Sequence, residues 1–217
     1  NRPLLLTRPG SLAGPTLAGL NHISPQGVTI LGGTGAVSGA VAAQVAAESA
    51  PWAADLNVQL LAFNDYHGNL EPPAGSSGRV GDIDAGGAEY LATHIELLRE
   101  SNPNTVVVSA GDMIGASPLI SALFHDEPTI EALNLIGMDY SAVGNHEFDE
   151  GVAELLRMQQ GGCHPEDGCQ DDDPFKGADF RYLAANVVWE DSGKTIFPPY
   201  KVEVFRGVKV GFIGVSL

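Results

Sequence analysis

An α/β fold with a mixed β-sheet flanked by helices is what this sequence predicts, and three observations lead there. From Asn57 onward, short apolar runs alternate with amphipathic stretches of helical period. Residues 200–205 and 208–215, turning at Arg206-Gly207, read as a later hairpin. Hydrophobic residues make up 44% of the chain and charged ones 18%, a balance that supports a packed core rather than disorder.

Taken in order, residues 58–63 form a short apolar strand. Residues 86–100 then spell an amphipathic helix with Ala88, Leu91, Ile95 and Leu98 on one face, ended by Ser101-Asn102-Pro103. The β-branched run 105–109 is the kind of strand that is buried on both faces. Pro128 stands near the start of a helix that stops at Gly137, matching the preference for proline early and glycine late. A third strand, 140–143, precedes a helix over 149–160 closed by Gly161-Gly162, and 182–185 is a fourth strand.

Residues 1–50 differ in character: they are poor in acids and rich in Ala, Gly and Leu, and they read as a separate α/β unit. Within it, 3–7 and 27–31 read as strands, 11–20 as a weak helix, and 37–47 as an Ala-rich helix after Gly32-Gly33-Thr34-Gly35. The glycine spacing does not give a dinucleotide-binding turn, and a secretory signal is a poor match because Gly, Pro and polar residues interrupt every candidate apolar core. Residues 51–56 would be a linker and 57–217 a second domain, as a 217-residue length allows.

Eleven basic against 27 acidic residues give a formal charge of -16. Such a surface repels a nucleic acid duplex, and it would repel a free phosphate monoester too unless bound cations reverse the local field. No apolar run is long enough to span a membrane. The two cysteines, Cys163 and Cys169, fit a local disulfide of an oxidising compartment, with a metal pair or two unpaired thiols in a loop as the alternatives.

Three apolar strands end alike: Phe63 leads into Asn64-Asp65-Tyr66-His67-Gly68, Ser109 into Ala110-Gly111-Asp112, and Val143 into Gly144-Asn145-His146-Glu147. Ligands of α/β sheets bind beyond the carboxyl ends of strands, so these side chains can converge. Oxygen and imidazole donors without a thiolate suit Mn, Zn, Fe, Mg or Ca. Two such cations bridged by one carboxylate, for which Asp112 is the candidate, would clamp a phosphate and activate a water.

These motifs, N-D-x-H-G-N, S-A-G-D-x-I-G-A-S-P and A-V-G-N-H-E-F-D, resemble the bacterial 5'-nucleotidase family of calcineurin-like metallophosphoesterases over residues 57–217. The resemblance implies a truncated αββα sandwich. It also implies that Asp65 and His67 hold the first of two divalent metals, that Asp112 bridges both and that Asn145 holds the second. His146 would face the substrate with Asp149 orienting it, although Asp149 also stands where a helix N-cap is wanted. Glu147 is not a ligand in the family pattern, and His22, His94, His125 and His164 lie outside all three motifs. The run 161–173 reads as a solvated insertion, and its cysteine pair is similar to that of secreted members.

The implied function is hydrolysis of phosphate esters, 5'-nucleotides first, by a metal-activated water; a 2',3'-cyclic phosphodiesterase or nucleotide-sugar hydrolase shares the same core. The family completes the second metal's shell with two later histidines that do not occur before Leu217, so the chain as given is expected to be a fragment, weak or inactive alone. Residues 1–50, with Pro3 to Thr7 and Val28 to Ser38, resemble the end of a type 2 cell-wall-binding repeat. That implies a wall polymer as a partner and an extracellular or wall-associated location, and it leaves a wall-attachment module with a vestigial phosphoesterase portion as the competing reading.

Overall fold

The computed structural model describes residues 7, 8, 11, 12, 40, 43, 56–72, 78–170 and 174–216. The expectations for 3–6, for 27–31, for 51–55, for His22 and for 171–173 lie outside these residues, and of 37–47 only Ala40 and Ala43 are described, both helical. The chain is mixed α/β and divides into two compact units: Gln59–Asp139 with Gly144–Arg181, and the described residues of Asn1–Val58 with Tyr140–Val143 and Tyr182–Leu217.

In the second of these, β1 (Thr7–Arg8) pairs antiparallel with β2 (Ser11–Leu12). The helix expected from Ser11 therefore begins as strand. Residues 13–20 of that expectation lie outside the described residues. Further along, β7 (Tyr140–Ala142) is hydrogen-bonded to β8 (Arg181–Leu183). β9 (Tyr200–Phe205) and β10 (Val208–Ile213) form the expected hairpin, from Val208↔Phe205 to Ile213↔Tyr200. Arg206 at φ 48 and Gly207 at φ 88 give its two-residue turn the left-handed pair that matches strand twist.

The other unit carries the site. β3 (Gln59–Ala62) lies parallel to β6 (Thr105–Ser109), with Leu60↔Val106 and Leu61↔Val107 in register. The Val106-Val107-Val108 run is buried along its length, as an unbroken β-branched strand should be; each such side chain contributes about 1.5–3 kcal/mol on full burial. β4 (Arg79–Val80) and β5 (Ile83–Asp84) make a small hairpin that the sequence pattern did not reveal.

α1 (Ala88–Ser101) buries Ile95, but Leu98, expected on the same face, is 42% exposed. After α2 (Leu119–Ala122) comes α3 (Glu127–Ile136), with Pro128 in its first turn and Ile130, Leu133 and Ile136 buried. Gly137 ends α3 in a left-handed C-cap, as expected. α1 packs on α3, and the Arg99 guanidinium of α1 donates to Asp139 at 3.2 Å and to the Gly137 carbonyl. Asp139 also accepts the Val107 N–H at 2.8 Å, which ties the end of α3 to the central strand.

α4 (Val152–Gln160) begins three residues later than the pattern suggested. A 3-10 turn at His146–Phe148 comes first, Asp149 closes that turn, and Gly151 occupies the N-cap of α4 at φ 86. Asp149 is therefore not the N-cap of the long helix.

Candidate active site and metal centre

The loop after β3 runs beside the loop after β6 and prolongs their pairing. Asp65 N–H donates to the Gly111 carbonyl at 3.2 Å, His67 N–H to that of Asp112 at 3.1 Å, and Gly68 N–H to that of Met113 at 3.1 Å. This lacing gathers Asp65, His67 and Asp112 so that one ligand atom from each lies within 4.8 Å of the others. All three sit in the left-handed region, at φ 55, 46 and 55. Asp and His tolerate that region better than most residues, and strain of this kind collects where the surroundings over-determine a site.

The rings and carboxylates are also aimed. His67 Nδ1 stands 2.8 Å from the Gly115 carbonyl, which can only accept, so Nδ1 holds the proton and Nε2 keeps its lone pair. Asn64 donates its side-chain amide to Asp65. Asp112 Oδ1 accepts the His146 backbone N–H at 3.0 Å. Gly144 lies so close to Asp112 that a Cβ there would collide with the carboxylate, which explains glycine at that position.

Glu147 is the support beneath Asp112. Its carboxylate is 2% exposed and accepts the N–H groups of Asp112 at 2.9 Å, Met113 at 2.8 Å and Gly144 at 2.5 Å. Burial pushes its acid upward, and the three backbone donors pull against that. Glu147 is thus spent on backbone N–H groups.

His146 and Asp149 form a pair: Nδ1 and Oδ2 are 2.8 Å apart. That hydrogen bond is the largest influence on the imidazole and raises its proton affinity above the ordinary histidine value. The His146 ring meets the His67 ring edge-on at 4.8 Å, so the pair adjoins the Asp65/His67/Asp112 cluster. Asn145, exposed, lies in the chain between Gly144 and His146, both of which touch Asp112.

Two residues that sequence reasoning passed over complete the frame. Buried Asp126 accepts the Gly115 N–H at 2.9 Å and the Ser121 hydroxyl at 2.7 Å. Gly115, at φ 79, leaves no room for a side chain: a Cβ would stand 2.6 Å from the His146 carbonyl and 2.7 Å from Asp149 Oδ2. Nothing in the local pattern marks Asp126, because it stands outside the strand-end motifs and serves the Gly115 backbone eleven residues earlier. A cleft of about 670 Å³ opens beside Asp65, lined by Phe63, Tyr66, Tyr90 and Leu91 among others. Burial, with Glu89 nearby, pushes the Tyr66 phenol up to about 12. Cys163 and Cys169 are joined as a disulfide in the loop after α4.

Comparison with known proteins fits this geometry. The model of a family described as calcineurin-like phosphoesterase matches residues 58–208. An uncharacterised Acinetobacter calcoaceticus protein of the pqq-V 5' region is 50% identical over 163 residues, 70% of this chain and 80% of that one. A Bacillus subtilis protein named as an endonuclease is 38% identical over 73% of this chain and 13% of its own. A Listeria monocytogenes protein named as a cell wall protein is 39% identical over 80% of this chain and 22% of its own. Among solved structures, a 5'-nucleotidase precursor from Thermus thermophilus superposes with a TM-score of 0.57 at 26% identity, over 73% of this chain and 28% of that one. The chain thus spans most of the Acinetobacter relative but a quarter or less of the other two.

Proposed function

This chain belongs to the calcineurin-like phosphoesterase family, and from that membership we propose that it hydrolyses phosphate esters, with 5'-nucleotides first among its substrates. The observation that carries the reading is the gathering of Asp65, His67 and Asp112 within 4.8 Å beside the His146–Asp149 pair. Members of the family use two divalent metal ions, and the donor set fits: carboxylate oxygens, one imidazole with its Nε2 lone pair free, and no thiolate. Asp65 and His67 would hold one ion, Asp112 would bridge, and Asn145 would join the second. Bound there, the ions would neutralise phosphate charge and supply a water of lowered pKa.

The protein's own groups then do the following. The Gly115 carbonyl keeps His67 in the ligating tautomer, and Glu147 fixes the backbone that presents Asp112. His146, whose proton affinity Asp149 raises, would offer an N–H to a leaving oxygen or a phosphoryl oxygen. The second ion would have Asp112 and Asn145 as its donors among the described residues.

The disulfide and the Listeria relative's name support an extracellular or wall-associated location, with residues 1–50 as the wall-facing segment. No described helix is long and apolar enough to cross a membrane. The Bacillus relative's name makes nucleic acid a substrate to try, but a charge of -16 opposes duplex binding.

The test is hydrolysis of 5'-AMP, bis-p-nitrophenyl phosphate and duplex DNA with added manganese, beside an Asp112→Asn control. Manganese-dependent release of phosphate from AMP that the control lacks supports the nucleotidase. Cleavage of the diester alone moves the assignment to the cyclic phosphodiesterases, and no turnover together with retention on purified cell walls favours the attachment module.

A further inference from the structure

A second cluster of ligating side chains lies apart from the site described above. One ligand atom each from His125, Glu150, Glu154 and His164 falls within 4.8 Å of the others. None of these residues belongs to the three strand-end motifs. His125 comes from the turn before α3, Glu150 from the turn before α4, Glu154 from the first turn of α4, and His164 from the disulfide loop.

The protonation pattern in the cluster is short of positive charge. The imidazoles of His125 and His164 stack face to face, centroids 3.8 Å apart and planes 9° from parallel, an arrangement that disfavours charging both. His164 Nδ1 accepts the N–H groups of Asp167 at 3.2 Å and Glu166 at 3.4 Å, so it carries a lone pair and no proton. Yet that nitrogen stands only 3.5 Å from the Asp167 carboxylate, two electron-rich atoms facing one another. Beside the pair are the carboxylates of Glu150, Glu154 and Asp167, against the imidazolium of His125, which lies between Glu150 and Asp167, and the guanidinium of Arg157, which is shared between Glu154 and Glu127.

We propose that His125, His164, Glu150 and Glu154 form a structural site for a divalent transition-metal ion of the zinc class, separate from the catalytic pair. Two imidazoles and two carboxylates are a donor set for zinc, whose tetrahedral ligands at about 2.0–2.1 Å would lie about 3.3 Å from one another, so the cluster would have to tighten and Glu154 to share one carboxylate oxygen between Arg157 and the ion. His125 is already posed for the role. Its Nε2 faces Asp167 at 2.9 Å while Nδ1 faces Glu150 at 2.7 Å, the carboxylate–histidine–metal arrangement with the ion standing where the Nδ1 proton now does. On binding, that proton leaves to solvent and the Nε2–H remains on Asp167.

The location states what the ion is for. His125 adjoins Asp126, which holds Gly115 and through it His67; Glu150 adjoins Asp149, which holds His146. An ion at the cluster ties these two turns together, and the disulfide with the paired His164–Gly168 backbone bonds fixes the loop that supplies the fourth ligand.

Equilibrium dialysis against zinc, with bound metal counted by mass spectrometry, tests this without reference to activity. Asp65→Asn/Asp112→Asn, which removes the carboxylates of the first cluster, should keep one tightly bound zinc, and zinc should raise its melting temperature. Adding the exposed Glu150→Gln should weaken that zinc at least about tenfold. If the double variant is folded by circular dichroism and binds no zinc, or if Glu150→Gln and His164→Gln leave its affinity unchanged, the proposal is overturned. Should the double variant not fold, His164→Gln in the unaltered background must bind one zinc equivalent fewer; an unchanged count overturns the proposal equally.

Discussion

The carboxylate of Glu147 accepts the backbone N–H of Met113 at 2.8 Å across 34 residues of sequence. Through this bond and its partners at Asp112 and Gly144, a buried acid holds the loop that presents the central metal-ligand candidate. Replacing Glu147 by Ala strands three N–H donors, each costing about 1–3 kcal/mol when buried without a partner. Urea denaturation of Glu147→Ala should show a loss of about 3 kcal/mol or more, and manganese affinity should fall with it. A stability within 0.5 kcal/mol of the parent, on the order of an ordinary surface substitution, would remove Glu147 from the frame.

Asp112→Asn keeps the shape of the side chain and halves its ligating power. Manganese affinity at the first cluster should drop by more than about 100-fold, since even supporting residues of a metal site are worth 10–100-fold. Far-ultraviolet circular dichroism should not change. Calorimetric titration of both proteins decides the matter.

Gly115→Ala places a methyl 2.6 Å from the His146 carbonyl and 2.7 Å from Asp149, at a φ of 79 that alanine resists. The backbone term alone costs about 1–3 kcal/mol. Because the same shift drags the carbonyl from His67 and the carboxylate from His146, turnover should fall further than stability. Comparing kcat with the unfolding free energy separates the two.

The Asp149 carboxylate raises the proton affinity of His146, which in the proposed reaction would supply its proton only while it is charged. Activity should therefore fade as pH climbs through the raised value. In Asp149→Asn the hydrogen bond survives without the charge, the imidazole loses its proton sooner, and the alkaline limb of kcat moves to lower pH. A pH profile in which that limb does not move would assign Asp149 to structure alone.

Reducing the Cys163–Cys169 bond releases a short loop. Chain entropy assigns a closure of this length about 2 kcal/mol, so a melt under reducing agent should shift downward by several degrees. The loss should grow when zinc is present at the start, because His164 leaves the cluster with the loop.

Much of the fold was legible because it is written in local patterns. The Val106-Val107-Val108 run, the Pro128 to Gly137 bracket of α3 and the Arg206-Gly207 turn each follow from steric preferences of a few neighbouring residues, and each element formed where those preferences put it. The convergence of Asp65, His67 and Asp112 was also readable, since they stand three to five residues past strands whose parallel pairing fixes where their ends lie. What the sequence alone determined was this local periodicity and the chemistry delivered at its breaks. Tertiary structure decided the rest: that Gly151 and not Asp149 stands at the N-cap of α4, that Glu147 serves the backbone of Asp112 and Met113, and that His125 and His164 stack. Those outcomes depend on which loops meet in space, and the desolvated donors and carboxylates brought together there must find partners that no window of sequence contains.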